Sequence, residues 1–123
     1  MPERTPRACR ILIVEDEYMI ADQLRRELEQ IDFTVLGPVS TVEDALDLIR
    51  SEPQVDGAIL DINLAGEQVF PVAERLAEQG VPFLFATGYD HSAIPERFAG
   101  VQRCEKPFRL RALTEAIGRV ILS

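Results

Sequence analysis

Five polar residues of this chain stand at or just behind short runs that read as strands. Glu15 and Asp16 follow Ile11-Leu12-Ile13-Val14, Asp61 follows Gly57-Ala58-Ile59-Leu60, Thr87 follows Phe83-Leu84-Phe85-Ala86, and Lys106 comes after Val101 to Cys104. If those runs are neighbouring parallel strands, the five side chains meet at one sheet edge. Three carboxylates within a few ångströms repel one another, and the arrangement is costly unless a cation offsets it. Oxygen ligands on a strand-end scaffold suit Mg2+, which takes one or two carboxylates and keeps several waters. A lysine and a threonine hydroxyl beside such an ion supply the charge and the hydrogen bond that a phosphoryl group needs. Taken singly, each residue has a plainer reading. Glu15-Asp16 fits a helix N-cap, Asp61 a turn, Thr87-Gly88 a strand exit, and Lys106 the surface. Their joint placement carries the functional reading.

The elements that must position them follow from two alternating periodicities. Ile11 to Val14 is continuous and β-branched, the mark of a strand buried on both faces. Ile20, Leu24, Leu28 and Ile31 then recur at helical spacing. Val35-Leu36 opens a second strand, with Gly37-Pro38 as its stop. Ser40 and Glu43 resemble a capping box before the stripe Val42, Ala45, Leu46 and Ile49, and Pro53 helps end that helix. The third strand runs into Asp61. A polar loop over Asn63 to Glu67 leads to a helix with Val69, Val72, Ala73 and Leu76 on one side, stopped by Gly80. The fourth strand ends at Thr87-Gly88. Between Tyr89 and Gly100 the pattern is weak, and Pro95 and Gly100 leave room only for a short or irregular helix. The run Val101 to Cys104 is the least apolar and suits an edge strand. Leu110, Leu113, Ile117 and Ile121 form a last helix. Strands alternating with helices imply a parallel sheet covered on both faces, whose ligands lie beyond the carboxyl ends of the strands.

Composition agrees with one soluble domain. The chain has 123 residues, 46% hydrophobic and 28% charged, with a formal charge of −8. That acidity argues against nucleic acid as a direct partner. No apolar run is long enough to span a membrane, and none follows the arginines of the start that could make a signal peptide. Residues 1–9 read as a flexible N-terminal arm and 10–123 as the folded domain. Cys9 and Cys104 are too few for a metal site or a disulfide framework, which suits reduced thiols and a cytoplasmic location.

The segments Val14-Glu15-Asp16-Glu17, Ile59-Leu60-Asp61-Ile62-Asn63, Phe85-Ala86-Thr87-Gly88 and Glu105-Lys106-Pro107-Phe108 together resemble the bacterial two-component response-regulator receiver domain. The resemblance runs from about residue 8 to the end. Phe85-Ala86-Thr87-Gly88-Tyr89 is similar to the FATGUY subgroup of stand-alone receivers. The resemblance implies a flavodoxin-like five-stranded parallel sheet of order 2-1-3-4-5 with helices on both faces and a shortened or irregular fourth helix. It implies that Asp61 is the phosphoacceptor and that Asp16, Asp61 and the backbone carbonyl of Asn63 bind Mg2+, with Glu15 acting through a metal-bound water. Thr87 and Lys106 would contact phosphoryl oxygens, and Lys106-Pro107 would be cis. Asn63 and Tyr89 would flank the approach of water. The donor would be a sensor histidine kinase or histidine phosphotransfer protein. With no output domain in the chain, any effect would pass to a downstream target through protein contacts, with the helix from about Arg109 and the stretch from Tyr89 to Arg103 as the candidate surface.

One departure from the pattern stands out. Receivers place an aromatic three residues before the lysine, and here that position is Arg103. Tyr89 is the candidate replacement, and its stretch the candidate switch loop; His91 in it reads as a solvated loop residue. Three other readings compete. An aspartyl phosphatase would carry an acid two residues after the nucleophile, where this chain has Asn63. A phosphorylation-independent binding module would not need Asp16, Asp61, Thr87 and Lys106 together. A phosphate sink or relay shuttle would use the same acceptor chemistry as an effector.

Overall fold

The computed structural model describes residues 9–88, 94–107 and 109–122. Strands β1 (Arg10–Val14), β2 (Thr34–Val39), β3 (Gly57–Asp61), β6 (Phe83–Thr87) and β7 (Arg103–Glu105) form a parallel sheet of order β2-β1-β3-β6-β7. This is the flavodoxin-like 2-1-3-4-5 order, with the weak fifth strand at an edge. Helices α1 (Tyr18–Gln30), α2 (Val42–Ser51), α3 (Phe70–Glu78) and α4 (Leu110–Val120) connect or follow the strands. Among the described residues no helix is long and apolar enough to cross a membrane.

The continuous apolar strands divide their side chains between two cores because successive residues point to opposite faces. Leu12, Val14, Ala58 and Leu60 pack with Val42, Ala45 and Ile49 of α2 and Val72, Ala73 and Leu76 of α3. Ile11, Ile13 and Ile59 pack with Leu24 and Leu28 of α1 and Leu113, Ala116 and Ile117 of α4. Both faces are covered, so β1 and β3 lie at the centre of the molecule. Cys9 and Cys104 are both buried and outside any disulfide.

Several boundaries differ from the sequence expectations. The arm placed over 1–9 lies outside the described residues except for Cys9, which is buried and whose backbone carbonyl accepts the Thr34 amide at 3.1 Å. Gly37-Pro38 does not stop β2. The strand continues to Val39 with Gly37 at φ +87° and a cis Gly37-Pro38 bond. A Cβ at Gly37 would sit 2.8 Å from the Val39 nitrogen, so the backbone there needs glycine. Thr41, not Ser40, caps α2, its hydroxyl accepting the Asp44 amide at 3.0 Å. Glu52 is extended because a proline follows it, and Gly80 closes α3 at φ +70°, both as anticipated.

The polar loop after Asp61 is instead a small antiparallel hairpin, β4 (Asn63–Leu64) and β5 (Glu67–Gln68). Ala65 and Gly66 turn it at φ +51° and +93°, the signs of a type I′ turn. Val69 is the N-cap of α3 rather than part of its stripe, although it is fully buried. The last strand begins at Arg103, later than expected, since Val101 and Gln102 belong to its approach. The fourth helix is reduced, as anticipated, to a 3-10 turn at Glu96–Phe98 among the described residues. Phe98 fills the space by meeting Phe70, Phe83 and Phe85, each at a ring-centroid distance of 6.0 Å. The guanidinium of Arg97 lies over the Phe98 ring and pairs with Glu74 of α3.

Gly57 begins β3 against the end of the last helix. A Cβ there would meet three Ile121 side-chain atoms at 2.7 to 2.8 Å. Gly57→Ala is therefore expected to destabilise by about 1–3 kcal/mol through overpacking. Ile121→Ala alone opens a cavity, whereas the double variant fills it with the new methyl. Urea unfolding should give the double variant a smaller loss than the sum of the two singles; simple additivity would contradict the contact.

Candidate functional site

The register of the sheet assembles the site. Val14 pairs with Leu60, so the residues that follow them, Glu15 and Asp61, become neighbours. Asp61 pairs with Ala86 and Thr87 with Glu105, which brings Thr87 and Lys106 to the same edge. Backbone bonds fix the exits of the strands. The Glu15 amide donates to the Val39 carbonyl at 2.9 Å, and the Lys106 amide to the Thr87 carbonyl at 2.8 Å. The Lys106-Pro107 bond is cis, as the resemblance implied.

Glu15, Asp61 and Thr87 are buried, while Asp16 is exposed. One carboxylate oxygen from each of Glu15, Asp16 and Asp61 lies within 4.8 Å of the others, and this is the one such acidic group among the described residues. Lys106 reaches into it, its Nζ 2.5 Å from Glu15 Oε1 and 3.3 Å from Asp61 Oδ2. Glu15 Oε2 accepts the Glu17 amide at 3.0 Å, but Glu17 is the N-cap of α1 and no side chain caps that helix start. The buried Oε1 lacks a regular hydrogen bond and depends on the ion pair with Lys106. The Thr87 hydroxyl donates to the Gly88 carbonyl at 3.1 Å.

One ammonium does not neutralise three carboxylates. Burial, then the proximity of Glu15 and Asp16, pushes the Asp61 carboxyl from 3.8 up to about 8, against the opposing pull of Lys106. Burial alone would lower the pKa of Lys106, but Glu15 and Asp61 outweigh it and hold the proton more tightly than usual. The cluster is thus short of positive charge, and its donor atoms are all oxygens. Three carboxylates sharing one ammonium and an acid that resists ionisation both fit a hard divalent cation such as Mg2+.

Asp16, Asp61, Asn63, Thr87, Gly88 and Lys106 line an open cleft of about 260 Å3. Asn63 reaches it, but its side-chain oxygen accepts the Gly66 amide at 3.2 Å, which commits that oxygen to the hairpin turn. Thus all the site residues selected from the sequence share this edge. Tyr89 and His91 lie outside the described residues, and Arg103 is an exposed residue of β7.

Two features went unread in the sequence. Tyr18 and Met19 at the start of α1 are each 80% exposed. Tyr18 borders a groove of about 560 Å3 that begins at Asp16 and extends to Ser40 and Asp44. Their place outside the stripe Ile20, Leu24 and Leu28 was the available signal. Glu67 accepts the Val42 amide at 3.2 Å, a contact between positions 25 residues apart that no local pattern announces.

Residues 11–118 match the family described as response regulator receiver domain. The solution structure of SdrG from Sphingomonas melonis Fr1 is 42% identical, with a TM-score of 0.80 over 89% of this chain and 93% of that one. The phyllosphere-induced regulator PhyR of Methylorubrum extorquens is 38% identical over 82% of this chain and 37% of its own length. The sensory transduction protein LytT of Bacillus subtilis is 34% identical over 69% of this chain and 36% of its own. The chain spans about a third of the length of those two relatives. Its sheet order, its acidic strand ends and this match over most of its length agree: the chain belongs to the response regulator receiver domain family.

Proposed function

We propose that Asp61 accepts a phosphoryl group from a phosphohistidine of a partner kinase or phosphotransfer protein, in a Mg2+-dependent step. The observation that carries this reading is the Lys106 ammonium shared between Glu15 and Asp61 at the wall of a cleft that opens onto Asp61. A carboxylate oxygen of Asp61 attacks phosphorus, the phosphorus–nitrogen bond breaks, and its electron pair leaves with the imidazole. The product is an acyl phosphate. Such transfer is mainly positioning and neutralisation of spreading charge, and Lys106 stands within reach of the phosphoryl oxygens to supply part of it. Asp16, Asp61 and the Asn63 carbonyl would hold the ion, with Glu15 acting through a water. When bound there, Mg2+ supplies the remaining neutralisation and favours the ionised form of Asp61.

Attack of water on phosphorus later releases phosphate and restores the carboxylate. Between those events the Thr87 hydroxyl can exchange its bond to the Gly88 carbonyl for a phosphoryl oxygen, which would carry the change into the backbone after β6. The BeF3-activated conformation solved for SdrG supports such a second state for this relative. Tyr18 and Met19, exposed at the start of α1 just after Asp16, suit the docking of a donor protein. Signalling would then pass through protein contacts rather than through catalysis of an external reaction.

Incubation with acetyl phosphate and Mg2+ should add the mass of one HPO3 unit to the wild type and none to Asp61→Asn. An adduct that survives in Asp61→Asn would contradict the assignment. Removing Mg2+ with a chelator should suppress the adduct in the wild type.

The raised pKa of Asp61 also sets a pH dependence. Without a divalent cation the folded chain holds this proton more tightly than the unfolded chain, so the group's contribution to stability is complete below the ordinary value of 3.8. It declines as pH rises through about 8. Relative to Asp61→Asn, the metal-free wild type should lose melting temperature between about pH 4 and about pH 8, and added Mg2+ should raise it more at the alkaline end. Parallel melting curves for the two proteins would contradict this.

A further inference from the structure

Glu67 sits in β5, on the hairpin that leaves the end of the phosphoacceptor strand, and its side chain is exposed. An exposed glutamate is usually only solvated. This one accepts the backbone amide of Val42 at 3.2 Å, and Val42 is the first residue of α2. That amide is one of the orphan donors of a helix N-terminus, where a carboxylate is electrostatically favoured. The same helix start is already capped by Thr41 through the Asp44 amide, so Glu67 is not the cap that α2 requires.

The contact closes a circuit. From Glu15 the amide bonds to the Val39 carbonyl at the end of β2. Ser40 and Thr41 lead to Val42, whose amide bonds to Glu67. Glu67 pairs with Leu64 and Gln68 with Asn63, and the Val69 amide returns to the Ile62 carbonyl at 3.0 Å, beside Asp61. Both segments that carry the acidic cluster are therefore tied together through the turn between β2 and α2. Buried Leu64 anchors one side of the hairpin in the core, and Glu67 ties the other side to α2. Each of its strands is two residues long, and an isolated hairpin is marginal in water.

We infer that Glu67 is a positioning residue of the metal site, holding the Asn63 hairpin against the α2 N-terminus so that the Asn63 carbonyl stays in register with Asp16 and Asp61. This rests on the reading of that edge as a Mg2+-dependent phosphoacceptor. Outer partners of metal ligands commonly change affinity by about tenfold or more when removed, and a comparable loss is expected here.

Mg2+ titration by calorimetry should show Glu67→Ala weakened by about tenfold. Glu67→Asp keeps the charge but is a methylene too short, and should follow Glu67→Ala. Glu67→Gln keeps both the reach and an acceptor oxygen, and should stay near the wild type. Thr41→Ala, which removes the other cap of the same helix, should lower the melting temperature without changing Mg2+ affinity. Amide exchange without Mg2+ should be faster at Val69 in Glu67→Ala than in Thr41→Ala. If Glu67→Ala does not fold, Glu67→Asp and Glu67→Gln decide the matter alone. Unchanged Mg2+ affinity in a folded Glu67→Ala or Glu67→Asp protein would overturn the inference, as would equal weakening in Thr41→Ala or in Glu67→Gln. A wild type that binds no Mg2+ would instead overturn the parent reading.

Discussion

A shortage of positive charge at one edge of a parallel sheet organises this molecule. Three carboxylate groups, from Glu15, Asp16 and Asp61, come within 4.8 Å, and Lys106 is the cation placed against two of them. Burial makes the imbalance worse, since Glu15 and Asp61 are both nearly inaccessible to water. The result is a carboxyl group whose pKa lies well above the ordinary carboxylate range and which further positive charge would help to ionise. A site in that condition is sensitive to a divalent cation and to a phosphoryl group alike, because each changes the local charge by amounts the protein alone leaves uncompensated.

The rest of the fold serves to maintain that crowding. Parallel pairing aligns the carboxyl ends of β1, β3, β6 and β7, while the two cores on either face lock the register by alternate side chains. A slip of one residue would send Leu12 and Ile13 to the wrong faces, so the apolar packing specifies the position of the acids indirectly. The short backbone bonds at the strand exits, from Glu15 to Val39 and from Lys106 to Thr87, then aim the chain beyond the sheet. The 3-10 turn that stands for the fourth helix is held by Phe98 in an aromatic cluster and by Arg97 against α3.

Much of this was legible in the amino-acid sequence, for physical reasons. Continuous apolar runs have no polar face to offer water, so the strands read from them belong inside a covered parallel sheet, and the residues behind them share its edge. The acids, Thr87 and Lys106 could be grouped on that basis alone, and the edge position of β7 followed from its weaker apolar character. What was not legible depended on contacts between distant segments or on backbone shapes that side-chain patterns do not encode. Gly37 and Pro38 read as a stop, yet the positive φ of Gly37 lets β2 continue to Val39. Asn63 to Glu67 is polar only at its two ends, and hairpin pairing of two residues against two leaves no periodicity to detect. Ser40 and Thr41 are chemically similar caps, and only the observed bond to Asp44 distinguishes them.

The most direct test of the charge account is the titration of the Asp61 carboxyl itself, followed by carbon-13 NMR with and without Mg2+. Free of divalent cation, that resonance should titrate near 8 rather than near the ordinary 3.8, and saturating Mg2+ should move its midpoint far down. An ordinary carboxylate midpoint with no response to Mg2+ would contradict the account.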